Sequence, residues 1–340
     1  MDKVPILLLR PAGDQPSSVD QSLGARLAAT QGPLGERIVL EEDSFRAGEL
    51  DELEQVVHRW RAKVLGVVGA TDVAESTRLG ELTERFNVLC FVSNNNPAVW
   101  RRRPHTFHIG VPTAMTAALI AQKLLCDVGV KRVYILHDKT EFQTGVAQAT
   151  ASLLERDGAE VRCHTGADGD WLDDVRSWNP ELVYLVYSNE TLALPLVGNL
   201  RLALPKTRLL LGRSLLRQGF IAALRQSADG ALFVDLFHRS ALHNKQEEIF
   251  FNTCAEAKIE LPTANHGFGW DAMTLCGLAL ARSDGNTRSA IEYLESGVEL
   301  EGATGRYRFS AKDHNGRYAY NPTTLSWIHK GRLKMYEPRW

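Results

Sequence analysis

Lys131-Arg132-Val133-Tyr134-Ile135-Leu136-His137, followed by Asp138-Lys139-Thr140-Glu141-Phe142, passes from a short apolar run to a polar loop and then to a helical pattern over 144–157. A continuous apolar run of this length reads as a strand buried on both faces of a parallel sheet, and the following helix is long enough to cross over to a parallel neighbour. Working outward from it, similar runs fall at 5–9, 37–41, 64–68, 88–91, 106–109, 160–164, 182–186, 208–211 and 231–235. Helical patterns separate them, among them 18–30, 49–61, 74–86, 114–128 and 190–202. The alternation predicts an α/β protein with two doubly wound, Rossmann-like blocks, about 4–110 and 113–235.

After Asp235 the alternation stops. Helices are expected around 244–257, 269–281 and 287–296, then a polar, glycine-bearing, hairpin-like end. These last hundred or so residues are expected to complete the two blocks. Lobe 1 would comprise 1–111 with 240–321, lobe 2 would comprise 112–239 with 322–340, and a ligand cleft would lie between them. Repeated crossing between lobes is the covalent basis of a hinge.

The chain has 340 residues, 44% hydrophobic and 24% charged, with a formal net charge of -2. That length can bury large cores without metal or disulfide support. The near-neutral balance supplies no electrostatic reason to bind nucleic acid or an anionic membrane. Arg101 to Arg103, between Pro97 and Pro104, reads as a solvated turn. Five cysteines, Cys90, Cys126, Cys163, Cys254 and Cys276, lack CxxC spacing and are expected to behave as small core hydrophobes. His105 and His108 have no Cys, Asp or Glu at ligand spacing, so neither a metal nor another cofactor is expected. No stretch approaches the roughly 18 apolar residues of a membrane span. The strand-like run at Val4 to Leu9 is not preceded by a secretory leader, so either the protein is cytosolic or a leader has been removed.

In open parallel sheets, ligands bind beyond the carboxyl ends of the strands. In the first block those loops offer Gln15 and Ser17, then Thr71, then Ser93-Asn94-Asn95-Asn96. In the second block they offer Phe142, then Asn189 and Glu190, then Arg213 and Ser214. Each polar residue has a local alternative. Asn readily builds turns, Thr71 and Asn189 could cap the helices that follow, and Glu190 could complement a helix N-terminus. Phe142 could pack on its own lobe, and Arg213 could form an ion pair. Trp270 is expected in the core. No phosphate-binding glycine motif or G-x-S-x-G elbow is present, and the paired carboxylates Glu41-Glu42 and Asp173-Asp174 are adjacent in sequence, so their side chains diverge. These features predict binding without catalysis.

Several segments together resemble the type I periplasmic binding proteins, in the branch of the leucine/isoleucine/valine-binding protein. They are Leu23-Gly24-Ala25-Arg26-Leu27-Ala28, Val67-Val68-Gly69, Phe107-His108-Ile109-Gly110-Val111-Pro112, the 131–138 stretch with Phe142 and Gly145, and Gly302-Ala303-Thr304-Gly305 with Phe309, Asp313, Asn315 and Gly316. The resemblance implies two lobes joined by three crossings, near 111–113, 237–240 and 320–324. It also implies a substrate-binding protein of an ABC importer that delivers a small molecule to a membrane permease outside the cytoplasm. A cytosolic ligand sensor of the same fold is the alternative. In branched-chain members, first-lobe loops matching Thr71 and Ser93 to Asn96 hold the ligand carboxylate, and an acidic side chain after the strand matching 208–211 takes the ammonium. Here that loop reads Gly212-Arg213-Ser214. A guanidinium repels an ammonium and grips a carboxylate through two parallel N–H bonds. The expected ligand is therefore a small organic acid, or a neutral polar molecule reached through a carbonyl, in preference to a branched-chain amino acid. Glu190 and Glu141 are the acidic candidates that would restore an amine.

Overall fold

The computed structural model describes residues 3–13, 16–69, 72–94, 96–166, 170–236, 238–319 and 323–336. The chain folds as two compact units, Met1–Pro112 with Ala241–Asn321, and Thr113–Ser240 with Pro322–Trp340. It therefore passes between them three times, at 112/113, 240/241 and 321/322.

In the first unit, β1 (Val4–Ala12), α1 (Pro16–Gln31), β2 (Ile38–Arg46), α2 (Leu50–Trp60), β3 (Gly66–Gly69), α3 (Val73–Arg85), β4 (Leu89–Val92) and β5 (Thr106–His108) follow one another. Their strands form one sheet in the order β2-β1-β3-β4-β5, parallel throughout. Ile6 to Leu9 and all of β4 are buried, as expected for strands covered on both faces. On α2, Leu53, Val56 and Val57 are buried at helical spacing and pack with Leu79 and Leu82 of α3 on one such face. Asp72 begins α3 by accepting a hydrogen bond from Ala74 N at 2.8 Å.

The second unit repeats this plan. It runs through α4 (Thr113–Lys123), which ends in a π-helical turn at Leu124–Val128, then β6 (Arg132–His137), α5 (Glu141–Arg156), β7 (Glu160–Thr165), α6 (Trp171–Trp178), β8 (Leu182–Val186), α7 (Glu190–Ala203), β9 (Arg208–Leu211), α8 (Gln218–Leu224) and β10 (Ala231–Asp235). Gly129, with φ 68°, takes the left-handed conformation that stops the turn before β6. The chain then returns to the first unit with α9 (Lys245–Glu256), α10 (Ala264–Arg282), α11 (Thr287–Glu295) and three short strands, β11 (Leu300–Glu301), β12 (Arg306–Tyr307) and β13 (Arg317–Ala319), which form a small sheet. The hairpin β14 (Thr324–His329) and β15 (Arg332–Met335) ends in the second unit. Its sheet order is β15-β14-β10-β9-β8-β6-β7, so β7-β6-β8-β9-β10 reproduces the strand order of the first unit, and the antiparallel hairpin β14–β15 extends the sheet beside β10, with β15 at the edge.

All ten expected strands form, and the doubly wound α/β fold holds in both units. The expected hairpin-like end is a hairpin, but β14 extends the main sheet, which its sequence did not announce. Strand β2 runs five residues beyond the expected Glu41, to Arg46, because it pairs with the whole of β1. Helix α10 starts at Ala264, five residues before the expected Gly269, where Thr263 and His266 form a capping box. Of the five cysteines, Cys90, Cys254 and Cys276 are buried, whereas Cys126 and Cys163 are exposed. The core expectation fails for those two because Cys126 faces out of the π-helical turn and Cys163 lies on the edge strand β7. Trp270 is buried, and Arg101 and Arg102 are exposed. Arg103 is half-buried and pairs with Glu81 at 3.0 Å.

Two devices anchor the returning segment in the first unit. Helices α1 and α10 meet at backbone distance: a Cβ on Gly24 would lie 1.9 Å from His266 O, and one on Gly269 would lie 1.9 Å from Gln21 O. Only glycine permits that approach. Second, Asp271 on α10 is fully buried and gathers the 302–305 turn: its Oδ1 accepts from Ala303 N at 2.6 Å. Its Oδ2 accepts from Thr304 N at 2.9 Å, Thr304 Oγ1 at 2.6 Å and Tyr307 OH at 2.9 Å. Buried Arg317 donates to Thr304 O, Thr304 Oγ1, Tyr307 OH and, at 2.8 Å, Ile109 O. Arg317 thereby ties the segment before the first passage between units to the segment before the third.

Candidate functional site

The second unit has an open pocket of about 470 Å³ beyond the carboxyl ends of β8, β9 and β10. Aliphatic side chains of α4 and α5 and the ring of Phe142 form its apolar part. Its polar part is supplied by Tyr184 on β8, Gln143 at the start of α5, Arg213 and Ser214 in the short turn after β9, and Asp235 at the end of β10. Phe142 and Gln143 enter because α5 begins directly after the loop that follows β6. Gln143 Nε2 donates to Ser214 Oγ at 3.5 Å. A mostly apolar cavity with a few convergent polar groups is the usual form of a small-molecule site.

The adjacent strands β9 and β10 carry Arg213 and Asp235 to this pocket. Leu211 on β9 lies opposite Phe233 on β10, and both residues lie two positions further along their chains. Asp235 is 3% exposed, and its Oδ1 accepts from Leu236 N at 2.8 Å. Burial raises the Asp235 carboxyl to about 6, against the opposing pull of Arg213 and of that N–H. Burial likewise raises the Tyr184 phenol, again opposed by Arg213, so Tyr184 is neutral at any physiological pH.

The first unit has a smaller open pocket, about 350 Å³, bounded by the ends of β1, β3 and β4 and by α1 and α10. Arg10, Ser18, Gln21, Ser22 and Ser93 line it, and Ser93 Oγ donates to Gln21 Oε1 at 2.6 Å.

The structure brings Phe142, Arg213 and Ser214 together in the second-unit pocket and places Ser93 in the first-unit pocket. Ser17 is half-buried in the first turn of α1, beside the pocket-lining Ser18. The asparagines do local work instead. Asn94 Oδ1 accepts from Asn96 N at 2.7 Å, and Asn96 Oδ1 accepts from Ala98 N at 3.0 Å to cap the turn Pro97–Val99. Asn189 Oδ1 caps α7 by accepting from Leu192 N at 3.2 Å. Glu190 pairs with Arg217 at 3.4 Å, and Glu141 is exposed, so neither acidic candidate lines the pocket. Gln15, Thr71 and Asn95 lie outside the described residues, as does Phe237 of the second expected crossing. Asp235 also lines the second-unit pocket; the sequence marks it only as an acidic residue closing an apolar run, a signal it shares with Glu41, which lines neither pocket.

Among the described residues, no group of three or more His, Cys, Asp or Glu side chains could hold a metal ion, and no helix is long and apolar enough to cross a membrane. The two units share one topology, and each has a pocket at the carboxyl ends of its strands. The model of the periplasmic binding protein family matches residues 23–326, and the chain belongs to that family, with the type I fold. It is similar in fold to a leucine-binding protein, LivK, from Thermotoga maritima, at 20% identity, TM-score 0.81, and 98% of each chain covered. It is also similar to the branched-chain amino acid transporter substrate-binding protein LivJ from Streptococcus pneumoniae in complex with isoleucine, at 15% identity, TM-score 0.80, covering 99% of this chain and 100% of that one. A solute-binding protein of an ABC transporter from R. palustris, in complex with benzoate, aligns at 17% identity and TM-score 0.78, covering 98% of this chain and 95% of that one. No curated protein sequence matches the chain.

Proposed function

We propose that this solute-binding protein of the ABC transporter family captures a small polar organic molecule without transforming it, outside the cytoplasm, and presents it to a membrane permease. The observation that carries the ligand class is Arg213: a guanidinium lining a largely apolar pocket favours an oxygen acceptor, either a carboxylate or a carbonyl. Ser214 and Gln143 add neutral hydrogen-bonding capacity beside it. Isoleucine in LivJ and benzoate in the R. palustris protein both carry a carboxylate, which supports the reading by analogy.

The test is a thermal-shift screen of organic acids, amides and amino acids, since a ligand that binds only the folded state must raise its stability. Intrinsic fluorescence then gives affinities, helped by seven tryptophans. Arg213→Ala is expected to weaken any true ligand by about 1.5–3 kcal/mol, the scale of a charge-assisted hydrogen bond. Unchanged affinity would remove Arg213 from the site, and consumption of the bound molecule would overturn the receptor reading.

A further inference from the structure

Arg213, in the turn after β9, and Asp235, the last residue of the neighbouring strand β10, line one pocket. Asp235 is nearly sequestered from solvent, and among the described lining residues Arg213 and Asp235 are the charged side chains, with Tyr184 the other titratable group. Register partner Thr324 on β14, Thr116 on α4 and Gln143 on α5 are neutral. We propose that Asp235 is a specificity-determining residue of this site, which makes the pocket select a net-neutral group offering an acceptor to Arg213 and a donor to Asp235, and disfavour a bare carboxylate. The inference rests on the proposed role of Arg213 and deepens it.

The chemistry is electrostatic. A carboxylate ligand gains from the guanidinium but is placed beside a second, buried negative charge, where little water screens the repulsion. Binding it then requires Asp235 to take up a proton. A primary carboxamide, or the ammonium-and-carboxylate pair of an amino acid, satisfies both side chains with no such cost, and its N–H donors add to the hydrogen bond that Asp235 accepts from Leu236 N. The preference for an acid that Arg213 alone would give is therefore offset by Asp235 in the same pocket.

Matched probes separate the possibilities: isobutyrate against isobutyramide, benzoate against benzamide, and isovalerate against leucine, each titrated by thermal shift and fluorescence on the full chain. In the wild type at pH 8, the neutral member of at least one pair is expected to bind about tenfold tighter than its carboxylate, a difference of about 1.4 kcal/mol. Asp235→Asn, which keeps the side-chain size but removes the charge, is expected to reverse that order. If the variant does not fold, the wild type supplies a second measure, because protonating Asp235 below about pH 6 must shift its preference toward the carboxylate. A carboxylate preferred by the wild type at pH 8, or an order unchanged by both the variant and acid, overturns the role of Asp235. If Arg213→Ala nevertheless abolishes binding, the parent reading survives; if no probe is bound at all, both readings fail.

Discussion

Replacing Asp271 by Asn removes one charge from a side chain that otherwise keeps its shape. Four donors converge on this carboxylate, from Ala303 N, Thr304 N, Thr304 Oγ1 and Tyr307 OH. Three of them converge on Oδ2, so an amide N–H₂ there faces three donors, whereas the other rotamer turns it against Ala303 N. Either rotamer leaves at least one buried donor without an acceptor, at roughly 1–3 kcal/mol, and leaves Arg317 near a group that no longer carries negative charge. Removing one partner of a buried charged network costs about 3–5 kcal/mol, and we expect about 4 kcal/mol for Asp271→Asn. The assay is urea unfolding followed by far-UV circular dichroism, combined with Arg317→Met in a double-mutant cycle. Because both side chains act through Thr304 and Tyr307, the double variant should be less destabilised than the sum by about 2 kcal/mol. A loss below about 1 kcal/mol for Asp271→Asn, or strict additivity, would show that the 302–305 turn is not held by this carboxylate.

Other outcomes follow from single sites. His108 is buried, stacks on Trp100 with centroids 3.8 Å apart, and has its pKa lowered to about 3 by burial, so it folds as the neutral imidazole. Its contribution is complete above the ordinary histidine value and is lost as pH falls toward 3, so His108→Gln should show a shallower acid decline, by up to about 1.4 kcal/mol per pH unit; parallel pH curves for the two proteins would exclude this. Gly269→Ala should cost about 3 kcal/mol, since its Cβ would meet backbone instead of a yielding side chain. Gly198→Ala, inside α7 with nothing within 4 Å, should instead stabilise by up to about 1 kcal/mol, and equal melting temperatures for the two variants would refute the packing argument.

The parallel strands were legible because burial on both faces leaves a continuous apolar run, as in Val133 to Leu136 and Leu182 to Val186. Strand β14, Thr324–His329, was not, because this antiparallel strand mixes Thr, Ser and His with its apolar residues and lacks that signature. Of the residues that line the second-unit pocket, Arg213, Ser214 and Phe142 follow from the rule about strand ends. Asn96 and Asn189 show the limit of that rule: a side-chain amide past a strand satisfies the next turn's N–H as readily as it would a ligand, and sequence cannot separate the two uses. Asp235 falls on the other side of the same ambiguity: the last residue of an apolar strand run, it also lines the pocket.

The close contact of Gly24 with His266 and of Gly269 with Gln21 bears on the order in which the protein is made. Helix α1 leaves the ribosome some 240 residues before the helix against which its backbone must press. The first-synthesised sheet therefore waits without α10 while the stretch from Thr113 to Ser240 emerges with nearly everything its own core requires. The later-made unit should be the earlier to fold, and the opening segment should remain open to chaperones for most of translation.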